Sequence, residues 1–390
     1  MRSIELFAGG GGLLLGTHLA GFSTELAAEW DRWSCDTIRE NRDAGYHLVA
    51  NTHVYEGDVR NVNWANVPPG IDLLSGGPPC QPFSAGGHGH AFNDPRDMFP
   101  AMIDILSQLR PKSFLIENVR GLTRPKFADY FSYIQLRLAH PDIAPKENEK
   151  WVDHFARLKR EHPIVKQDLQ YRVLPQLVNA ADYGVPQQRW RVFIVGFRTD
   201  IEIPWQFPKA THSASALRTI QDSGDYWERH GVPKNQQHAI RASTKTQECP
   251  LKPWRTVRDA ISDLPEPGSK NALNHYRQPN ARAYPGHTGS YLDSPAKALK
   301  AGVHGVPGGE NMLRNPNGSV RYFTVREAAR LQTFPDGYAL HGPWTEAMRQ
   351  LGNAVPVMLA ETVALEIRQQ LSLASAVQCT KAEQSIGLAA

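Results

Sequence analysis

In GGPPCQPFS, residues 76–84, Cys80 follows two glycines and two prolines, and a third proline stands two positions beyond it. Proline fixes φ and removes a backbone donor, so this run makes neither a helix nor an interior strand but a stiff loop. A thiol held there is either a small buried hydrophobe, the usual fate of cysteine, or a nucleophile whose sulfur the loop aims. Other reactive types follow short apolar runs: Glu29 in TELAAEW, Asp58 in VYEGDVR and Glu117 in KSFLIENV. Carboxylates at strand ends can hold ribose hydroxyls or the amino group of an adenine, and the Trp30 indole beside Glu29 offers a ring to pack on that base. In QQRWR, Arg189 and Arg191 alternate with Trp190 and face one side of a strand. That side either opposes developing negative charge or is an ordinary strand face.

These residues need elements to hold them. Residues 2–7 read as a buried strand running into AGGGG, and a helix follows from Leu13 to Ala20, ended by Gly21. Residues 24–30 read as a strand, 32–42 as a helix, 71–77 as a strand entering the Cys80 loop, 97–109 as a helix and 112–119 as a strand. The alternation predicts a doubly wound α/β fold with a mainly parallel, Rossmann-like sheet. Ligands of such sheets bind at the carboxyl ends of the strands, where Gly9 to Gly12, Glu29, Asp58, Cys80 and Glu117 all fall. AGGGGLLLG lacks the GxGxxG spacing that a nicotinamide dehydrogenase needs. The set suits a nucleoside cofactor without a pyrophosphate, such as S-adenosylmethionine.

Residues 124–170 read as an insertion whose KENEKWVDHFARLKREH stretch is a charged helix with Trp151, Phe155 and Leu158 on one stripe. The strand pattern returns at 189–197. Residues 201–322, rich in Pro, Gly, His and Asn, read as a separate loop-rich domain. Helices resume at 324–332 and 355–371, and the end from Ser372 reads as frayed. The catalytic domain is thus expected over 1–200 and again over 323–371, with a flexible tail over 372–390.

The chain has 390 residues, 41% of them hydrophobic, enough for a sizeable core. Its four cysteines form no CxxC pair, which argues against a zinc site or a disulfide framework, so no metal is expected. No apolar run is long enough for a bilayer, and MRSIELFAGGGG is not a secretory signal, so a cytoplasmic setting is expected.

The sequence resembles the DNA cytosine-C5 methyltransferases, in particular those of bacterial restriction–modification systems. ELFAGGGGLLLG, EW, GDVR, GGPPCQPFS, ENVRG, VPQQRWRVFIVGFR, RYFTVREAARLQTFPD and QLGNAVPV carry the resemblance, in the family's order, from residue 5 to about 371. It implies that Cys80 is a nucleophile toward cytosine C6. It implies that Glu117 bonds N3 and the amino group of the base, and that Arg191 opposes charge at O2 with Arg189 and Gln187 nearby. For S-adenosylmethionine it implies Phe7, Gly9, Gly10, Gly11 and Gly12, then Glu29, Trp30, Asp58 and Val59. Met98, Asn353 and Val355 would complete that pocket. Arg326, Glu327 and Arg330 would tie the domains together.

The resemblance also implies double-stranded DNA as substrate, a flipped-out target cytosine, a partner restriction endonuclease and a monomeric enzyme. Residues 81–93 would close over the base, with Ser84 touching a phosphate. Target recognition would lie between the RVFIVGFR and RYFTVREAARLQ blocks, with its variable part over 269–318. Between Gly268 and Tyr322 seven Lys and Arg stand against two acids, more than the net +4 of the whole chain. Arg277, Arg282 and Arg314 are the expected DNA contacts, with His275, His287 and His304 in loops that would track phosphates and base edges. Relatives of this family act on transfer RNA, and the basic segment favours duplex DNA over that alternative.

Overall fold

Apolar runs without polar alternation make strands buried on both faces, the signature of a parallel sheet with helices on each side. In the computed structural model, which describes residues 1–79, 97–164, 168–202, 204–237, 239, 250–283, 288–301 and 309–387, strands β1 (Arg2–Leu6), β2 (Ser23–Glu29), β3 (His53–Glu56), β4 (Leu73–Gly76) and β5 (Ser113–Val119) are all parallel. β6 (Tyr171–Asn179), the two-residue β7 (Gln187–Gln188) and β8 (Trp190–Arg198) follow. The large sheet has the order β3-β2-β1-β4-β5-β8-β6, and β8 runs antiparallel to both of its neighbours. β6 escapes a reading of the sequence because Pro175 sits at its centre; as an edge strand it needs no donor on its outer side.

The helices are α1 (Gly12–Leu19), α2 (Arg32–Asp43), α3 (Phe99–Leu109), α4 (Ala128–Ala139), α5 (Trp151–Glu161), α6 (Ala214–Ser223), α7 (Asp225–Arg229), α8 (Val257–Ile261), α9 (Val325–Leu331), α10 (Trp344–Asn353) and α11 (Val357–Gly387). On one face of the sheet α3 and α4 bury Met102, Leu106 and Ile134 against Ile4, Phe114, Ile116 and Ile194. On the other, α1 and α11 bury Leu13, Leu359 and Val363 against Leu73, Leu115, Phe193 and Val195. A Cβ at Gly16 would lie 2.4 Å from Ala360 Cβ and 2.7 Å from Val357 O, so α1 and α11 touch closely at that glycine. α11 continues past Ser372, where a frayed end is expected, with Leu371 and Ala374 buried in the same cluster.

The loop-rich segment forms only short strands: β9 (His212–Ser213), β10 (Lys252–Pro253), β11 (Ser290–Tyr291), β12 (Ala296–Lys297), β13 (Met312–Arg314) and β14 (Val320–Tyr322). Leu217, Tyr226, Trp227 and Val232 make a small cluster of their own. Val257, Ile261, Leu299 and Leu313 instead join Ile38, Phe323, Leu331 and Leu351 in one larger cluster with α2, α9 and α10. Capping boxes at Thr256–Asp259 and Thr324–Glu327 start α8 and α9. From α9, Arg326 donates to Leu273 O and Arg330 to Ala260 O, so this helix does join the two parts of the chain.

Between α4 and α5 the expected stripe is present: Phe155 and Leu158 bury, and Trp151 meets Tyr130 edge-on at 5.3 Å. His154 is fully buried, with Nδ1 2.8 Å from Tyr133 Oη and Nε2 3.1 Å from Ile143 O. Burial, then the Arg137 and Arg157 charges, push its pKa down to about 4 from 6.5. A histidine depressed on folding leaves the unfolded chain with more bound protons between those values, so stability falls as pH drops from about 6.5 toward 4. We therefore expect His154→Gln to flatten the pH dependence of the thermal midpoint across that window; an unchanged slope would place the acid sensitivity elsewhere.

No helix among the described residues is long and apolar enough to cross a membrane, and no cluster of His, Cys, Asp and Glu among them could hold a metal ion.

Candidate active site

The carboxyl ends of β1, β2 and β3 build one half of the site. The turn after β1 uses left-handed backbone at Phe7 (φ 56°), Gly9 (φ 53°) and Gly11 (φ 93°). A Cβ at Gly9 would meet nothing within 4 Å, so this glycine faces open space. The next three glycines have a different reason. Cβ atoms there would lie 2.9 Å from Gln350 Oε1, 2.8 Å from Tyr338 Oη and 2.4 Å from Val355 O, at Gly10, Gly11 and Gly12 in turn. The C-terminal return packs directly on the turn, with Tyr338 Oη also donating to Gly10 O at 3.2 Å.

Glu29, at the end of β2, is buried, and its carboxylate accepts from Gly9 N at 2.7 Å and from Trp30 N and Asp31 N at 2.9 Å each. It pins the glycine turn to β2. Burial pushes its pKa up, against the pull of the three amides. Trp30 is 73% exposed, its ring free beside that carboxylate. Asp58 caps a 3-10 turn, Val59–Asn61, and its carboxylate holds the Arg60 side chain at 2.9 and 3.0 Å from Nε, which keeps its pKa low. Val59 is buried, and a cleft beside it is lined by Arg60, Trp64, Met98, Ala101 and Ile105. Asn353 is exposed at the end of α10, and Val355 is buried behind Gly12. Beneath the turn, Glu5 is sealed in the sheet with Oε2 2.5 Å from Ser75 Oγ, and burial pushes its carboxyl up to about 8.

The other half lies where β4, β5 and β8 meet. Glu117 Oε1 is 2.5 Å from Arg191 Nε, and both side chains are nearly buried. The pair is close but not aligned as a hydrogen bond, so both atoms remain buried without a hydrogen-bond partner. Burial raises the Glu117 pKa, opposed by Arg191 and then Arg189. The chain entering the cysteine loop runs against this pair: a Cβ at Gly77 would lie 3.3 Å from Glu117 Oε2, and Asn118 Nδ2 donates to Pro78 O at 3.1 Å. Cys80 and Ser84 themselves lie outside the described residues, as do residues 81–93, His287 and His304.

Several expected residues have fixed structural partners. Arg189 is fully buried and donates to Leu299 O at 2.9 Å, Gly352 O at 2.6 Å and Ala354 O at 3.0 Å. Gln187 accepts from Leu299 N at 2.9 Å. Together they fasten β7 and β8 to β12 and α10. His275, expected in a phosphate-tracking loop, is buried between Thr324 Oγ1 and Pro265 O, each at 2.8 Å, so it cannot reach a ligand. Arg277 pairs with Glu266 at 3.0 Å, both exposed; Arg282 is exposed; Arg314 lies over the Tyr291 ring at 5.6 Å. Asn118 and Gly77 were not expected; the ENV and GGPP motifs contain them, but their contact is visible only in three dimensions.

A mainly parallel seven-stranded sheet with one reversed strand, acids at successive strand ends and a glutamate–arginine pair beside Gly77 and Pro78 make a Rossmann-like α/β site. The model of the C-5 cytosine-specific DNA methylases matches residues 1–140 and 159–369. The unmatched stretch, 141–158, is narrower than the insertion expected over 124–170. The chain is 31% identical over 384 residues to the type II methyltransferase M.PspPI of Psychrobacter, covering 95% of this chain and 80% of that one. It is 31% identical over 377 residues to M.NgoPII of Neisseria gonorrhoeae, covering 95% and 96%. Among solved structures, a DNA modification methyltransferase from an Escherichia coli prophage shares the fold, with a TM-score of 0.56 at 21% identity over 95% of this chain and 99% of that one. The chain belongs to the C-5 cytosine-specific DNA methylases, the DNA (cytosine-5)-methyltransferases, and its relatives are of the bacterial type II restriction–modification kind.

Proposed function

We propose that this enzyme methylates C5 of a flipped-out cytosine in a specific duplex site through a covalent bond from Cys80 to C6, and that it shields DNA from a partner restriction endonuclease. The observation that carries the reading is the buried Glu117–Arg191 pair set against Gly77 and Pro78, three and two residues before Cys80. A cytosine must leave the stack to reach such a pair. The Cys80 thiolate adds to C6, and electron density moves toward N3 and O2. Glu117, raised in pKa by burial, supplies the proton at N3, and Arg191 opposes the charge at O2. C5 then takes the methyl group, loses its proton, and the sulfur–C6 bond breaks. Arg189, held on three carbonyls, positions Arg191 rather than touching the base.

The residues fit S-adenosylmethionine, which supplies an electrophilic methyl group on a sulfonium. Gly9 leaves open space beside Phe7, Trp30 offers a free ring face, and Glu29 Oε2, which among the described residues accepts only from Gly9 N, can take one more donor. Met98 lines the cleft with Ala101 and Ile105, Asp58 and Val59 directly precede Arg60 on its rim, and Asn353 and Val355 come from the far end of the chain, with Val355 against Gly12. Recognition is assigned to 269–318, with Arg277, Arg282 and Arg314 as contacts and Ser84 on a phosphate. The enzyme would act as a monomer in the cytoplasm.

The test is transfer of tritiated methyl groups to duplex DNA and, separately, to transfer RNA; label in RNA alone would overturn the reading. We also expect Trp30→Ala to weaken S-adenosylmethionine binding about tenfold, since an aromatic face of this kind contributes about 1–2 kcal/mol. Equilibrium dialysis with labelled cofactor checks it, and unchanged affinity would place the adenine elsewhere.

A further inference from the structure

The eight residues after β5, RGLTRPKF (120–127), fold as two consecutive 3-10 turns, Arg120–Thr123 and Pro125–Phe127. Gly121, Leu122 and Phe127 bury, and Arg120, Arg124 and Lys126 stand exposed. The segment has three cations and no acid. None of the three has an ion-pair partner among the described residues. Arg120 instead lies over the ring of Trp190 at 5.2 Å, and that indole is 40% exposed.

The position of this patch is fixed by strand register. Val119, just before Arg120, pairs with Arg191, just after Trp190. Glu117 is two residues further back on β5. Successive residues of a strand point to opposite faces, so Trp190 opens on the sheet face opposite Arg191, at the same carboxyl-end rim. Arg120 and Lys126 rest on the Trp190 and Phe127 rings, at 5.2 and 4.6 Å, but exposed cations without an ion pair contribute little to the fold, and neither does a half-exposed indole. Beside a site that must receive a base, they match a ligand with repeated negative charge and flat rings.

We propose that Arg120, Arg124, Lys126 and Trp190 form a docking surface for the DNA strand that carries the target cytosine. The cations take phosphates flanking the extruded nucleotide, and the indole, braced by Arg120, stacks on the neighbouring base. This surface grips without reading sequence, and it is separate from the recognition segment over 269–318. It rests on the reading of duplex DNA as the substrate.

The experiment is a salt titration of binding to a random-sequence duplex by the full chain and its variants. Two phosphate contacts release about 0.9 counterions each, so Arg124→Ala with Lys126→Ala should flatten the slope of log K against log salt by about 1.8. Trp190→Ala should weaken binding roughly tenfold with the slope unchanged, and Trp190→Phe should recover most of the loss. Cofactor affinity and thermal midpoint should stay at the wild-type values in all of them. A wild-type slope in the double variant overturns the phosphate contacts. Trp190→Phe that fails to recover binding, or a lowered midpoint in Trp190→Ala, overturns the stacking role. Wild-type protein that shows no salt-dependent duplex binding and labels only transfer RNA overturns the DNA reading itself, and it does so before any variant is made.

Discussion

Cys80→Ala is expected to abolish methyl transfer and to leave duplex binding largely intact. DNA with 5-fluorocytosine at the target should become covalently joined to the wild-type chain when S-adenosylmethionine is present. The reason is a bond that cannot be undone: after C5 has accepted the methyl group, release of the enzyme needs loss of a proton from C5, and fluorine cannot leave that way. The adduct should resist denaturation on a gel and map to the peptide containing Cys80. The alanine variant should form none. In the proposed mechanism the thiol supplies the nucleophilic attack, which an alanine cannot make. Undiminished methylation by Cys80→Ala would remove the covalent mechanism altogether.

Glu117→Gln should slow the chemical step by roughly 10²–10⁴-fold, the usual loss when a positioned acid is removed. The amide keeps the shape and can still face the amino group of the base, but it has no transferable proton for N3. The Arg191 side chain would lose its charge partner in a nearly buried position, so some loss of stability is also expected. Single-turnover rates separate the two effects, since cofactor affinity should stay close to wild type. The sign of the pH effect follows from burial. A raised Glu117 pKa keeps the proton available to higher pH than an ordinary glutamate would, and the wild-type step should slow as pH climbs through that pKa. Glu117→Gln should lose this limb of the profile. Loss of cofactor affinity with full turnover would reverse the assignments of Glu117 and Glu29.

The parallel strands were legible because most are short apolar runs with a glycine or an acid at or within three residues of their ends, as at Gly9, Glu29, Gly76 and Glu117, and those ends are where ligands bind. β6 was not, because Pro175 breaks the pattern and only its place at the sheet edge makes it tolerable. The polar residues divided in a similar way. Glu117 and Arg191 meet across adjacent strands, and motif spacing brings them to mind together. Arg189, Gln187 and His275 look equally functional in the sequence, yet their partners are backbone groups such as Leu299 O, Gly352 O and Pro265 O. Nothing in a linear reading shows the carbonyls that hold Arg189 from more than a hundred residues away, or the fold that closes Pro265 and Thr324 around His275. The glycines make the same point: Gly10, Gly11 and Gly12 are small for Gln350, Tyr338 and Val355 as much as for any ligand.

That packing sets an order in time. The turn that follows the first strand is finished by the Tyr338 and Gln350 side chains and the Val355 backbone, and α11 then closes on α1 at Gly16. At about 5–20 residues per second, a ribosome needs tens of seconds to travel from one to the other. Through that interval the emerging chain already carries the strands of the large sheet and the basic segment over 269–318, but the glycine turn lacks the packing of Gln350, Tyr338 and Val355. On the proposed assignments, a nascent chain of this length could meet DNA before it could hold a methyl donor, and a chain truncated at residue 330 is expected to bind no S-adenosylmethionine and to transfer no methyl group.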